Sequence, residues 1–366
     1  MGRLAVRKIC RKVGWEKSTS DRRALVSSHP GDSRGNLPRP AGSRLPYRVS
    51  CKSHQVYGIL GSPDGRRRCK LHRVKSYHDI VGDGGSKVLE QVVEQRARIA
   101  DGLAGVRHLV AVGSGKGGVG KSTLTFHLAS ALAVRGLRVA ILDADFNGPS
   151  QARMAGVRGA VFVPGTEKVS LPRTRNGIGV FSMGSLIPES QALDFESAAR
   201  GESQTWRSTR EFALLGEILR SFDWGQLDLL LFDLPPGAER TVQYAEYLEP
   251  RTSFVLVTIP SDVSRGVVAR SVAALSKAPN RLLGYVENMN GYYCRDCDAI
   301  KPLFESGEAP PLGIPWLGSI PFDPELAQRC DRGVPITELA DTPVGRALNH
   351  VAAQLLDRLA DQEPSR

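Results

Sequence analysis

The chain has 366 residues, 41% of them hydrophobic, enough for one large α/β domain with extensions or for two domains. Its net charge of +11 is uneven: residues 1–75 hold 19 of the 49 Lys/Arg but 4 of the 38 Asp/Glu, leaving the other 291 residues at −4. Any nucleic-acid role is thereby confined to the N-terminal segment, and the lack of an apolar run of 18 residues excludes a membrane-spanning helix.

Residues 1–75 read as a basic low-complexity extension, with Arg, Ser, Gly and Pro clustered at Ser33 to Arg44 and Ser62 to Arg68. Three readings stand side by side. The segment is a disordered tail, an Arg- and Ser-rich transit peptide, or the product of a start codon set too early. Under the third reading translation begins at Val74, just before Lys75-Ser76-Tyr77-His78-Asp79-Ile80. Cys10, Cys51 and Cys69 in this segment have no metal-like spacing. Residues 76–105 read as a helical arm, with Val88, Val92, Val93 and Ile99 spaced for one face.

From residue 106 to 366 strands alternate with helices. Strands are expected at Leu109–Gly113, Arg138–Leu142, Leu227–Phe232, Ser253–Thr258, Leu282–Val286 and Trp316–Ile320. These are short continuous apolar runs, the pattern of strands buried on both faces. Helices are expected at Lys121–Val134, Thr209–Phe222, Pro324–Arg332 and Pro343–Leu359, with 157–225 otherwise irregular. The implied fold class is α/β, a doubly wound, mainly parallel sheet that places ligands at the carboxyl ends of its strands.

Gly115, Gly120, Lys121 and Ser122 satisfy G-x-x-x-x-G-K-[ST] between the first strand and its helix. In such a loop, backbone N–H groups of Gly115, Lys116, Gly117, Gly118, Val119, Gly120, Lys121, Ser122 and Thr123 surround the phosphates, Lys121 neutralises them, and the Ser122 hydroxyl holds Mg²⁺. The second lysine, Lys116, resembles the signature lysine of the deviant Walker-A NTPases, which reaches across a dimer to the partner's nucleotide. Charge supplied in trans is worth roughly 10³–10⁵ in rate in related phosphoryl transfers; the plainer alternative is a solvated lysine beside the phosphates. Asp143 and Asp145 end the second strand, where carboxylates serve Mg²⁺ or the attacking water, or else cap a turn. Asp233 ends an apolar strand before Pro235-Pro236-Gly237 and fits a Walker-B acid with a switch loop behind it.

The set G-K-G-G-V-G-K-S-T, D-A-D-F-N-G-P-S, F-D-L-P-P-G, V-E-N-M before C-x-x-C, and L-G-S-I-P-F-D-P resembles the Mrp/ApbC family of ATP-binding iron–sulfur cluster carriers, over about Gly105 to Leu359. That family is related to the septum-site and partition ATPases and to the nitrogenase iron protein. The resemblance implies ATP, Mg²⁺ and an iron–sulfur cluster as ligands. It also implies slow ATP hydrolysis, catalytic roles for Lys116, Lys121, Asp143 and Asp145, Mg²⁺ on Ser122 and Asp233, an adenine contact from Asn288, and a cytoplasmic homodimer that serves apo iron–sulfur proteins. Three departures stand out: no N-terminal cysteine cluster or acidic domain in residues 1–105, Ala238-Glu239-Arg240 after Pro-Pro-Gly, and Asp298 where glycine is common.

Cys294-Arg295-Asp296-Cys297, flanked by Tyr292 and Tyr293, reads as a mobile loop bearing two thiols. Two thiolates do not complete a tetrahedral zinc or a [4Fe–4S] cluster, whereas two chains on a two-fold axis supply four. A bridging, labile [4Fe–4S] cluster, zinc and a redox dithiol are the three uses weighed. The rival from another class is a positioning ATPase of the septum-site or partition type. Its membrane form needs a basic amphipathic C-terminal helix, but Leu348, Val351, Leu355 and Leu359 with few basic neighbours suit core packing better. No specific nucleic-acid or membrane partner is expected.

Overall fold

Apolar strands that alternate with helices can bury both sheet faces only if helices cover each one, and the chain is built that way. The computed structural model describes residues 57–58, 70–71, 97, 99–160, 162–164, 168–186, 204–248, 250–303, 312–333 and 341–361. Two units are distinguished, one built on Gln95–Arg366 and one on Lys17–Glu94. In the second, β1 (Tyr57–Gly58) pairs antiparallel with β2 (Lys70–Leu71). The three readings of the basic extension, and the helical arm up to residue 96, otherwise lie outside the described residues. The end of the arm enters the main unit, where Ile99 and Leu103 are buried.

The main unit runs β3 (Val106–Ser114), α1 (Lys121–Val134), β4 (Val139–Asp143), α2 (Gln151–Met154), β5 (Val163–Pro164), β6 (Val169–Ser170) and β7 (Gly179–Phe181). It continues with α3 (Gln204–Ser221), β8 (Phe222–Asp223), β9 (Leu227–Asp233), α4 (Ala238–Tyr247), β10 (Thr252–Thr258) and α5 (Asp262–Leu275). The last elements are β11 (Leu282–Cys294), β12 (Ala299–Lys301), β13 (Trp316–Phe322), α6 (Pro324–Arg332) and α7 (Pro343–Ala360). The main sheet has the order β12-β11-β10-β3-β9-β4-β7, with β13 also on β11. Its pairings are parallel except for β11 with β12. The expected mainly parallel, doubly wound sheet is the observed one.

Side-chain alternation on the central strand divides the core. Leu109 and Ala111 of β3 join the layer under α3, α4 and α5. Val110 and Val112 face the opposite layer, formed with Leu124, Leu128 and Leu132 of α1 and Leu348, Val351 and Leu355 of α7. Full burial of each such leucine contributes about 2 kcal/mol. The apolar stripe of the C-terminal helix is therefore core, because it lies against β13 and α1 rather than facing out.

Several elements differ from the sequence reading, which placed no helix at α4 or α5. The segment 157–225 contains a small sheet, β5-β6-β8, and a helix that begins at Gln204 rather than Thr209. β11 does not stop at Val286 but runs to Cys294, and β12 pairs back onto its end, Cys294 opposite Ala299. The thiol pair thus sits on a β-hairpin and not on a free loop, since Tyr292 and Tyr293 are good strand formers and Tyr293 is buried.

Behind the phosphate loop, His127 Nε2 of α1 lies 3.1 Å from Cys330 Sγ of α6, both groups buried. Burial pushes the His127 imidazole down to about 3 and the Cys330 thiol up to about 12. In the unfolded chain the imidazole titrates near 6.5, so its contribution to stability is intact above that pH and is lost as pH falls from 6.5 toward 3. Denaturant unfolding should show the loss as about 3 kcal/mol by pH 4, and His127→Leu should flatten that part of the pH curve.

Candidate nucleotide and thiol sites

The phosphate loop begins where β3 ends and closes into the first turn of α1. Gly118 and Gly120 have φ of 80° and 78°, in the left-handed region where a side chain is strained. A Cβ on Gly120 would also stand 2.1 Å from Asn288 Nδ2. That amide donates to the Val119 carbonyl at 2.9 Å, so Asn288 braces the loop from β11. Gly117 and Gly118 are exposed, and Lys116 and Ser122 are half-buried.

Strand register brings the charged groups together. Val112 of β3 and Asp143 of β4 both lie opposite Asp233 of β9, so three strand ends converge beneath the loop. Lys121 Nζ donates to Asp233 Oδ1 at 2.5 Å in a fully buried ion pair and approaches Ser122 Oγ at 3.3 Å. Gln151 Nε2 bridges Asp233 Oδ2, at 2.8 Å, and the Ser122 carbonyl, at 2.9 Å. Its buried Oε1 has no donor among the described residues. Ser122 Oγ, Asp233 and Gln151 Oε1 form a set of hard oxygen donors suited to Mg²⁺ and its waters.

The two aspartates after β4 differ in what they hold. Asp143 accepts from the backbone N–H of Ser150 and Gln151, each at 3.0 Å, and from Ser182 Oγ at 2.9 Å. It ties the segment after β4 to the sheet. Full burial, reinforced by the neighbouring Asp233 charge, pushes its carboxyl up to about 8 despite these donors. Asp145 is less enclosed and accepts from Gly148 N–H at 3.0 Å; burial raises its pKa as well.

The helix after Asp233 is joined to the segment after β4. Tyr244 of α4 donates its hydroxyl to the Ala144 carbonyl at 3.0 Å, and Ala144 N–H donates to the Asp233 carbonyl at 2.9 Å. Arg240, the residue that departs from the family pattern, ion-pairs with Glu211 of α3 and lies over the rings of Phe212 and Tyr244. Its guanidinium therefore clamps α4 to α3.

The thiols occupy the turn of the β11–β12 hairpin, Cys294 half-buried and Cys297 exposed. Asp298, where glycine was expected, takes φ 46° and accepts from Tyr293 Oη at 2.8 Å, an arrangement Asp tolerates better than most side chains. Arg295 donates to buried Asp323 at 3.0 Å and pairs with Glu325 of α6. Hydrogen bonding to Cys297 lowers the Cys294 pKa, and the charge of Cys294 raises that of Lys301. Among the described residues no third His, Cys, Asp or Glu completes a metal-binding group here.

The structure thus unites Gly115 to Thr123, Asp143, Asp145, Asp233 and Asn288 in one site, with Cys294 at the end of β11 and Cys297 in the turn beyond it. Gln151, Ser182, Arg295 and Lys301 were not singled out from sequence. For Gln151 the signal available was its place directly after the D-x-D-F-N-G-P-S turn.

Comparison with known proteins bears on this arrangement. The family profile described as ParA, NUBPL iron-transfer P-loop NTPase, matches residues 105–356. The chain is 37% identical over 265 residues to the cytosolic Fe-S cluster assembly factor NUBP2 of Bos taurus, covering 69% of this chain and 94% of that protein. It is 34% identical over 296 residues to the iron-sulfur cluster carrier protein of Deinococcus radiodurans, covering 80% and 79%. A nucleotide-binding protein from Archaeoglobus fulgidus, solved in complex with ADP, aligns with a TM-score of 0.55 at 31% identity over 65% of this chain and 91% of that one.

Removing one partner of a buried ion pair strands the other's charge. Lys121→Met should therefore lower stability by about 3 kcal/mol, and the double variant Lys121→Met/Asp233→Asn should recover most of that loss in denaturant titrations.

Proposed function

The chain belongs to the family of NUBPL iron-transfer P-loop NTPases, and we propose that it is an ATP-hydrolysing carrier that builds an iron–sulfur cluster on Cys294 and Cys297 of two chains and passes it to apoproteins. The observation that carries this reading is the placement of both sites on one strand. β11 braces the phosphate loop through Asn288 and ends in the first thiol, Cys294.

At the nucleotide end, the loop N–H groups and Lys121 bind the phosphates, and Lys121 exchanges its Asp233 partner for them. Ser122 and Asp233 hold Mg²⁺, which supplies charge neutralisation on the β- and γ-phosphates. Gln151 Oε1, buried without a donor, would be available to a water of the ion. Asp145 orients the attacking water, because Asp143 Oδ2 takes donors from two backbone N–H groups and Ser182, and its Oδ1 accepts from the Asp145 N–H at 3.3 Å. Lys116, half-buried at the start of the loop, reaches the nucleotide of a second subunit. Asn288 contacts the adenine as well as the loop.

At the thiol end, two soft ligands per chain suit an iron–sulfur cluster shared between two chains. An exposed cluster held by one hairpin from each chain is easily given up, as a carrier requires. A cytoplasmic setting is in keeping with the likeness to factors named cytosolic. Among the described residues no helix is long and apolar enough to cross a membrane.

Anaerobic loading of the full chain with iron and sulfide, followed by iron counting and sedimentation, should find four irons per two chains. Cys294→Ala and Cys297→Ala should each abolish loading. A loaded monomer, or undiminished loading in Cys294→Ala, overturns the reading. In parallel, Lys116→Ala and Asp145→Asn should bind ATP with near-normal affinity but lose turnover by roughly 10³-fold.

A further inference from the structure

The β11–β12 register sets a cation beside the thiols. Cys294 lies opposite Ala299, and Tyr292 opposite Lys301. Directly paired residues share a sheet face, and so do residues two apart along one strand. Cys294, Ala299, Tyr292 and Lys301 therefore point to one side, with Lys301 the diagonal neighbour of Cys294. Its four-carbon stem is long enough to carry the ammonium to the turn.

Two other charges of the hairpin, Arg295 and Asp298, are engaged elsewhere. Arg295 is bound to Asp323 and Glu325, over the ring of Tyr293. Asp298 is engaged with the Tyr293 hydroxyl. Lys301 is left as the basic group that faces the sulfur atoms.

We propose that Lys301 is a positioning residue for the cargo, its fixed positive charge compensating the anionic thiolate-bound cluster and so setting both how firmly the cluster is held and how readily it is reduced. The inference rests on the carrier reading above. A lysine at this place acts as a retention device.

The test uses the full chain loaded anaerobically with iron and sulfide, in wild-type, Lys301→Gln and Lys301→Arg forms. The readouts are the midpoint reduction potential and the rate at which a ferrous chelator bleaches the cluster. Lys301→Gln should show a more negative potential and about fivefold faster bleaching, the scale of one surface charge at contact distance. Lys301→Arg should keep both near wild type, and thermal unfolding should be the same in all three. A wild-type chain that takes up no cluster overturns the carrier reading and this inference with it. A wild-type chain that loads, with Lys301→Gln matching it in potential and bleaching, overturns the role of Lys301 alone.

Discussion

Asp233 is the point on which the nucleotide site is organised. It stands at the end of a central strand whose register fixes it between Val112 on one side and Asp143 on the other. A fully buried carboxylate has to be compensated, and this one is, by Lys121, by Gln151 and, at 3.4 Å, by Thr125. Those partners come from the first helix and from the segment after β4. The need to satisfy one buried charge thus draws Lys121, the loop serine and the segment after β4 into a single assembly.

The same logic extends outward to the sulfur ligands. Two mechanical connections link them to the phosphate loop. One is β11 itself, from Asn288 to Cys294. The other runs through α6: His127 and Cys330 pack α1 against that helix, and Asp323 and Glu325 at its start hold Arg295 inside the C-x-x-C turn. The two connections consist of one strand, with an irregularity between Asn288 and Tyr292, and one packed helix.

Departures from the family pattern acquire physical roles. Asp298 replaces glycine in a left-handed turn and uses its carboxylate to fasten Tyr293. Arg240, after Pro-Pro-Gly, turns inward to Glu211 and two aromatic rings, where an exposed basic residue would have served no purpose. Each substitution is matched by a partner elsewhere in the chain.

Much of this was legible before any coordinates, because it is local. The phosphate loop, the strand-end aspartates, the C-x-x-C pair and helices such as Pro324–Arg332 are written in short patterns whose chemistry needs those residues at that spacing. The doubly wound sheet followed from uninterrupted apolar strands. Partnerships across the fold were not legible. Nothing in the spacing of Gln151, Ser182 or Lys301 reveals that they meet Asp233, Asp143 and the thiols, since such contacts depend on strand register and on helices packing from distant parts of the chain. Nor did alternation reveal that β11 continues to Cys294: Asn288, Asn290 and Gly291 interrupt the strand pattern, Met289 and Gly291 take positive φ, and pairing with β12 and β13 resumes only at Tyr292. Local sequence decided which groups are present; tertiary packing decided which of them touch, because buried charges and strand edges find their partners in space rather than along the chain.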